Sequence, residues 1–418
     1  MSPKHIVFYI GSLARGGAER VFANLAEWLF EKGHSVTFVT TYLAENEYEV
    51  ANCSWREVSK EELPELNGRY QEVMRPDETP AYVTYLSVPA SGKPYIYRHF
   101  SGLQAKDQTS SRPINLAKRT KLLRDVFERI HPDVIVSAIG KNNVMALVST
   151  IGMNIPVVVT CVANLNMEYP TRNQYISMTT TFRRAAGIVF QLKAQQALYP
   201  PQIASRGTIL RNSIDTQFLV PRYEGERQKT IVACGRMDRN KNHAMLIKAF
   251  ARLASTHPEW NLIVYGDGPE MKHLRSLVIA LGLRGRVELP GYVNNIEERI
   301  YKAGCYVLCS NEEGMPNSLL EAMSLGLPCV STDCPCGGPA ELIQDGVNGL
   351  LTPVGDVTRL EKTLLRILDN PGMSRTMGIN ATKIQEEFAS TKVNPEWEMY
   401  LLGIIASHEE DMSMTGQS

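Results

Sequence analysis

The 418-residue chain has no long apolar run. None approaches the ~18 consecutive residues that a bilayer-spanning helix requires. Its opening, Met-Ser-Pro-Lys-His, leads straight into a short strand, without the charged and apolar regions of a secretory leader. The eight cysteines show no metal or disulfide framework. Only Cys334-Pro-Cys336 is a tight pair, with no second pair or His cluster at zinc spacing. Cys161, Cys234, Cys305 and Cys309 lie in apolar, strand-like runs, where a thiol serves as a small buried hydrophobe. Net charge is absent too, with 44 basic against 44 acidic residues, and no nucleic-acid-binding module is recognisable. These absences lead us to expect a reduced, cytosolic protein without a transmembrane helix, a metal site or a nucleic-acid partner.

What is present is globular. Hydrophobic residues make up 44% and charged residues 21%, as in soluble proteins. The length is too great for one ordinary core, so two domains are expected. Charge is unevenly spread: residues 1–219 carry 24 Lys and Arg against 19 Asp and Glu, with nine basic residues against three acidic between Lys93 and His131. A basic N-terminal half suits contact with an anionic membrane surface or a phosphate-bearing acceptor. A solvated helix face is the ordinary alternative.

Short, β-branched apolar runs alternate with helix-period segments, the pattern of parallel α/β sheets. In the first half this predicts strands at His5–Ile10, Ser35–Thr40, Asp133–Ala138, Pro156–Cys161, Gly187–Gln191 and Thr208–Leu210. Helices are predicted at Ala18–Lys32 and Ile114–Ile130. The second half predicts strands at Thr230–Cys234, Asn261–Tyr265, Val287–Leu289, Cys305–Ser310 and Cys329–Thr332. Its helices fall at His243–Ser255, Glu270–Leu281, Ile296–Ala303, Asn317–Leu325 and Thr358–Leu368. The fold class is therefore α/β, with two doubly wound Rossmann-like domains facing a cleft, and ligands at the C-terminal ends of the strands. The domains are expected at 1–205 and 206–390, with an irregular insertion at about 44–112. That insertion reads either as a small subdomain with β-hairpins or as a long ordered loop. A C-terminal helix and a disordered tail are expected over 391–418, the disorder beginning after His408.

Chemistry concentrates at strand ends. Glu313-Gly-Met-Pro-Asn-Ser-Leu-Leu-Glu321 places one acid at a strand end and a second about two turns into a helix. The amides around Met315, Pro316, Asn317, Ser318 and Leu319 form a helix start that favours an anion such as a sugar diphosphate. Glu321 would accept hydrogen bonds from ribose hydroxyls, and Glu313 would hold sugar hydroxyls. Gly235-Arg236-Met-Asp-Arg-Asn-Lys241 follows the first strand of the second half. Arg236 offers a planar fork and Lys241 a point charge to a diphosphate leaving group. Asp267 and Gly268 form another strand-to-helix turn. Gly291 and Tyr292 follow the next strand and would line a base pocket. Gly16 and Gly17 lie between the first strand and first helix, but without the Gly-x-Gly-x-x-Gly spacing of a dinucleotide fingerprint. Each of these has a bland reading as a turn or a solvated loop. Glu313 and Glu321 taken together with Arg236 and Lys241 make the bland reading the weaker one.

These residues together resemble the retaining glycosyltransferases of family 4, which have the GT-B fold. The resemblance rests on Gly16-Gly17-Ala18-Glu19, Gly235-Arg236 with Lys241-Asn242, Gly266-Asp267-Gly268, and the Glu-x7-Glu run from Glu313 to Glu321. Asn212-Ser-Ile-Asp215 and Asp333-Cys-Pro-Cys-Gly-Gly-Pro339 add to it, the latter resembling members that build bacterial surface polysaccharides. The likeness is strong over 200–370, weaker before that, and barely covers 44–112.

The resemblance implies a UDP-hexose or UDP-N-acetylhexosamine donor and a glycan or lipid-linked acceptor at the inner face of the membrane. No Asp-x-Asp metal motif lies near these residues, so no metal is expected, and no cofactor beside the nucleotide-sugar substrate. Arg236 and Lys241 would stabilise the leaving diphosphate, Glu313 would orient the sugar, and Gly17 would approach the diphosphate from the first domain. One position departs: Val162 stands where the family often places a His, so either another polar group such as Asn164 or Glu168 serves there, or catalysis relies on leaving-group stabilisation alone, with weakened or lost activity as a further alternative. The alternatives are thus a non-catalytic glycosyltransferase-like binding protein and a GDP-mannose-type mannosyltransferase. A nucleotide-sugar epimerase is disfavoured by the Glu-x7-Glu spacing.

Overall fold

The computed structural model describes residues 2–14, 16–44, 47–51, 53, 55–66, 70–75, 79–85, 94–100 and 112–415. The chain divides into two units. The first takes residues 1–190, 199–210 and 394–418, and the second takes 191–198 and 211–393. The passage between them is therefore interleaved, where the sequence suggested a single cut at 205/206. The basic stretch from Lys93 to His131 is described only in part.

Among the described residues, the first unit is built on a seven-stranded parallel sheet. Its strands are β1 (His5–Ile10), β2 (Ser35–Thr40), β6 (Ile96–Phe100), β7 (Val134–Ala138), β8 (Val157–Cys161), β9 (Gly187–Phe190) and β10 (Gly207–Ile209). They lie in the order β10-β9-β8-β7-β1-β2-β6. From Ile6 to Ile10 every residue is buried, as expected of a parallel strand covered on both faces. The helix Gly17–Glu31 buries Phe22, Ala23, Leu25, Ala26 and Leu29 at helical spacing. Each large apolar side chain so buried contributes about 1.5–3 kcal/mol. Val7, Tyr9, Ile135, Val159 and Phe190 pack with Leu123, Val126 and Phe127 of the helix Arg112–Ile130.

The insertion resolves the alternative left by the sequence in favour of a small subdomain. Strands β3 (Trp55–Val58), β4 (Gln71–Met74) and β5 (Pro80–Tyr85) form an antiparallel sheet in the order β3-β5-β4. Arg98 on β6 is fully buried and fastens this insertion. It pairs with Glu47, donates to Thr40 Oγ1 at 3.0 Å and to the Tyr42 carbonyl at 3.3 Å, and lies 4.6 Å from the Trp55 ring centroid. A buried guanidinium persists only when its donors are met.

The C-terminal helix is longer than expected. It runs Ser390–Thr415, so residues 409–415 are helical where disorder was anticipated. No Gly or Pro interrupts that stretch, and Glu409 pairs with Lys4 at 2.6 Å. Trp28 Nε1 and His34 Nε2 both reach the Glu398 carboxylate, at 3.1 and 3.4 Å, which ties the helix to the first unit. Residues 416–418 lie outside the described residues.

The second unit has, among the described residues, a six-stranded parallel sheet. Its strands are β11 (Gln228–Cys234), β12 (Asn261–Tyr265), β13 (Val287–Gly291), β14 (Ala303–Leu308), β15 (Cys329–Thr332) and β16 (Leu350–Thr352). The order β13-β12-β11-β14-β15-β16 runs outward from β11 in both directions. The order reverses between β11 and β14, and the crevice outside the C-terminal ends of those two strands is where such sheets bind ligands. β16 was not anticipated, because three residues at a sheet edge carry no readable alternation.

Candidate functional site

The residues singled out in the second half meet at this reversal point. Arg236 and Lys241 lie on the loop after β11, and Glu313 on the loop after β14. Lys241 Nζ donates to Glu313 Oε1 at 2.5 Å, and Ser310 Oγ donates to the same oxygen at 2.5 Å. The two charged side chains are only 22% and 11% exposed, so the pair is shielded from bulk water. Glu313 is thus not a free carboxylate: one oxygen is already committed to a cation and a hydroxyl. Arg236 behaves differently. Its side chain is 73% exposed, with Asp238 Oδ2 3.9 Å from its Nε. Asp238 also accepts from the Lys241 backbone N–H at 3.0 Å, which folds the loop back on itself.

Three asparagines stitch the two loops together. Asn240 Nδ2 donates to the Glu312 carbonyl at 2.9 Å, and its Oδ1 accepts from the Glu312 N–H at 3.1 Å. Asn311 Nδ2 reaches the Arg239 carbonyl at 2.9 Å, and Asn242 Nδ2 reaches Asn311 Oδ1 at 3.2 Å. Sequence reasoning weighed the cations of this loop and passed over its amides. The signal was present as Asn240 and Asn242 flanking Lys241, but a single sequence does not show their partners, which lie about 70 residues away.

Backbone crossings hold the other candidates near by. Gly266 sits at φ +131°, and a Cβ there would lie 1.9 Å from the Gly235 carbonyl oxygen. The Met237 N–H donates to the Asp267 carbonyl at 2.8 Å, and Asp267 Oδ1 accepts from the Gly268 N–H at 2.7 Å. The Gly266 N–H reaches the Gly291 carbonyl at 2.9 Å, which brings Tyr292 to the same end of the sheet, 47% exposed.

The Gly314–Pro316 turn leads into the helix Asn317–Ser324, which begins without a side-chain cap. Met315, Leu319 and Glu321 are buried, Glu321 at 5% exposure in the second turn. The turn rests on the loop before Pro339: a Cβ on Gly338 would lie 1.6 Å from the Gly314 carbonyl oxygen. A second unforeseen relay reaches the helix start. The Met315 N–H donates to Gln191 Oε1 at 3.2 Å, Gln191 Nε2 to Asn212 Oδ1 at 2.9 Å, and Asn212 Nδ2 to Asn317 Oδ1 at 2.8 Å.

Gly16 and Gly17 lie in the first unit, after β1. Gly16 is the extended residue before the helix Gly17–Glu31, which has no side-chain cap. The loop is pinned by the insertion: the Leu13 N–H reaches Glu47 Oε1 at 3.3 Å, and the Tyr48 N–H reaches the Leu13 carbonyl at 2.9 Å.

The loop after β8 answers the question raised by Val162. Asn164 caps its own short helix, its Oδ1 accepting from the Asn166 N–H at 3.0 Å. Glu168 Oε1 accepts from the Val162 and Ala163 N–H groups at 2.7 and 3.0 Å. Glu168 is buried, and burial pushes its carboxyl up to about 7 against the pull of those N–H groups. Both side chains therefore serve the backbone of their own loop. Among the described residues, no group of three or more His, Cys, Asp and Glu is placed to hold a metal.

Comparison with known proteins agrees with this geometry. Residues 220–384 match the family described as glycosyl transferases group 1. The chain is 25% identical over 402 residues to a Campylobacter jejuni protein, covering 94% of this chain and 96% of that one. That protein is a GalNAc-alpha-(1->4)-GalNAc-alpha-(1->3)-diNAcBac-PP-undecaprenol alpha-1,4-N-acetyl-D-galactosaminyltransferase. A 189-residue stretch, 44% of this chain, is 35% identical to an exopolysaccharide phosphotransferase of Streptomyces coelicolor, but spans only 20% of that longer protein. Among solved structures, Anabaena HepE in complex with UDP and glucose superposes with a TM-score of 0.70 at 18% identity, covering 96% of this chain and 100% of that one. Sucrose-phosphate synthase from Thermosynechococcus elongatus gives 0.72 at 16% identity, covering 97% and 100%. The architecture is GT-B, and within it residues 220–384 carry the likeness to the glycosyl transferases of group 1.

Proposed function

We propose that the second unit binds a UDP-hexose or UDP-N-acetylhexosamine, and that the protein transfers the sugar, with retention of configuration, to a glycan or lipid-linked acceptor. The observation that carries this reading is the direct bond between the loops after β11 and β14. It gathers Arg236, Lys241, Glu313 and an uncapped helix start at the point where strand order reverses. The choice of UDP follows the UDP in the HepE structures, and the lipid-linked acceptor follows the Campylobacter relative's name.

In this reading the bond from the sugar's anomeric carbon to the β-phosphate oxygen breaks, and negative charge grows on the diphosphate. Arg236, Lys241 and the amides of Met315–Leu319 stabilise that charge more in the transition state than in the ground state. The acceptor oxygen bonds to the same carbon, and its proton passes to the departing phosphate. Glu313, held by Lys241 and Ser310, presents its remaining oxygen to sugar hydroxyls. Glu321 takes the ribose, while Asp267, Gly268 and Tyr292 border the nucleotide. No step requires a metal. The acceptor's lipid would bring the protein to the cytoplasmic face of the membrane. Exposed Ile114 and Leu122 beside Lys118 and Lys121, on the helix Arg112–Ile130, suit that contact.

UDP release by purified protein given UDP-sugars and an undecaprenyl-diphosphate glycan tests the reading. Arg236→Ala is the sharpest variant, because its exposed side chain contributes little to stability. It is expected to lose on the order of 100-fold or more in kcat/KM while its melting temperature is unchanged. Full transfer by this variant sinks the assignment.

A second reading is nucleotide-sugar binding without turnover. It is favoured by Val162, with Asn164 and Glu168 both turned toward their own loop. Saturable UDP-sugar binding without any UDP release supports it; transfer removes it.

A further inference from the structure

The relay from Gln191 to Asn317 has a direction, and a backbone group sets it. The Met315 N–H can only donate, so the Gln191 atom that it meets at 3.2 Å is the carbonyl oxygen Oε1. Gln191 therefore turns its Nε2 to Asn212, whose Oδ1 accepts at 2.9 Å. Asn212 in turn donates from its Nδ2 to Asn317 Oδ1 at 2.8 Å. Each carboxamide has one accepting and one donating end, so neither Gln191 nor Asn212 can flip without breaking the bonds on both sides. Gln191 is held further by Gln195 Oε1, which accepts from its backbone N–H at 2.9 Å. Both members of the relay are buried, so a broken bond there would cost the desolvation of its partners. Packing alone does not call for such a chain, because apolar side chains of the same shape would fill the space at little cost. Its one outlet is Asn317, a half-buried residue that opens the uncapped helix Asn317–Ser324. With Asn317 Oδ1 bound to Asn212, the two N–H donors of that side chain lie on the side away from Asn212.

We propose that Gln191 and Asn212 are positioning residues of the donor site, which set the Asn317 carboxamide so that its Nδ2 donates to the diphosphate. The inference rests on the donor-site reading above. A donor aimed at a phosphate oxygen makes a bond to an ionised group, roughly twice as strong as a bond between neutral partners. With the amide reversed, the same side chain would turn its oxygen to the phosphate and repel it. The relay excludes that reversed state before any ligand arrives.

UDP affinity and thermal unfolding test this in wild type, Asn317→Asp, Asn317→Ala, Asn212→Asp and the double variant Asn212→Asp with Asn317→Ala. Asn317→Asp keeps an oxygen for Asn212 and puts a carboxylate at a helix start, where negative charge is favoured. It is expected to keep or raise the melting temperature while UDP binding weakens at least about tenfold, a split that a purely structural role would not produce. Asn317→Ala is expected to weaken UDP binding about tenfold, the worth of one such hydrogen bond. A carboxylate at position 212 only accepts, so Asn212→Asp reverses the Asn317 amide and should weaken UDP binding by at least as much. In the Asn317→Ala background the same change finds no amide to reverse, and UDP affinity is expected to stay where Asn317→Ala alone leaves it. The two Asn317 variants test the contact even if Asn212→Asp does not fold. Unchanged UDP affinity in either Asn317 variant, or the same fold loss from Asn212→Asp in both backgrounds, overturns the positioning role alone. A wild type that binds no UDP overturns the donor-site reading and this inference with it.

Discussion

Replacing Lys241 separates its bond to Glu313 from the role proposed for it, stabilising leaving-group charge. Lys241→Met keeps most of the side chain's length and removes only the cation. Glu313, 11% exposed, then keeps its hydrogen bond from Ser310 and loses the charge that offsets its burial. Breaking a fully buried pair costs about 3–5 kcal/mol; Lys241 is 22% exposed, so a loss of about 2 kcal/mol in unfolding free energy is expected. Glu313→Gln in the same chain removes the stranded charge while keeping an acceptor for Ser310, and should return about 1 kcal/mol of that. Activity should not follow. Removing a preplaced charge donor costs about 2.7–4 kcal/mol in the transition state, and the neutral glutamine supplies none of it. Urea unfolding and UDP release, measured on wild type, both single variants and the double variant, form the cycle. A double variant that is more stable than Lys241→Met yet remains inactive agrees with the reasoning. Recovery of turnover along with stability would show that Lys241 acts only by holding Glu313, and would refute its role toward the diphosphate.

Gly266→Ala is expected to disrupt the donor loop, because its Cβ would meet the Gly235 carbonyl at 1.9 Å from a backbone at φ +131°. The outcome should be a loss of at least about 2 kcal/mol and of nucleotide affinity, read by thermal shift with and without UDP. Glu168 predicts a pH effect whose sign follows from its raised carboxyl. The unfolded chain releases this proton near its ordinary value of 4.5 and the folded chain only near 7, so stability is highest below 4.5 and falls as pH rises through 7. The shift corresponds to about 3 kcal/mol, and Glu168→Gln should flatten that slope in urea unfolding series taken between about pH 4.5 and about pH 8.

The sheet strands were legible where apolar β-branched runs met turn residues. His5–Ile10, Ser35–Thr40, Asn261–Tyr265 and Cys329–Thr332 need no correction. The helix Arg172–Thr181 was not legible: its polar, Thr-rich sequence has weak helix propensity, and it starts from a capping box between Thr171 and Gln174. The interleaving of residues 191–210 between the two units was hidden as well, since it depends on pairings such as Gln191 with Asn212. In the site, the charged residues were legible as strand-end motifs. What connects them was not, because Asn240, Asn311 and Gln191 act through partners at least 21 residues away, and a single sequence carries no record of contact.

Arg98 has a consequence for how this protein can change. Its guanidinium belongs to an edge strand of the main sheet, yet its partners, Thr40, Tyr42, Glu47 and Trp55, span the beginning of the insertion. The insertion is therefore not an appendage that recombination can trade freely. A transplanted version lacking Glu47 would leave a guanidinium stranded in the interior, and one lacking Arg98 would strand the carboxylate that also holds the Leu13 amide of the glycine loop. Exchange of this insertion between relatives is therefore expected to succeed only when Thr40, Glu47 and Arg98 travel together.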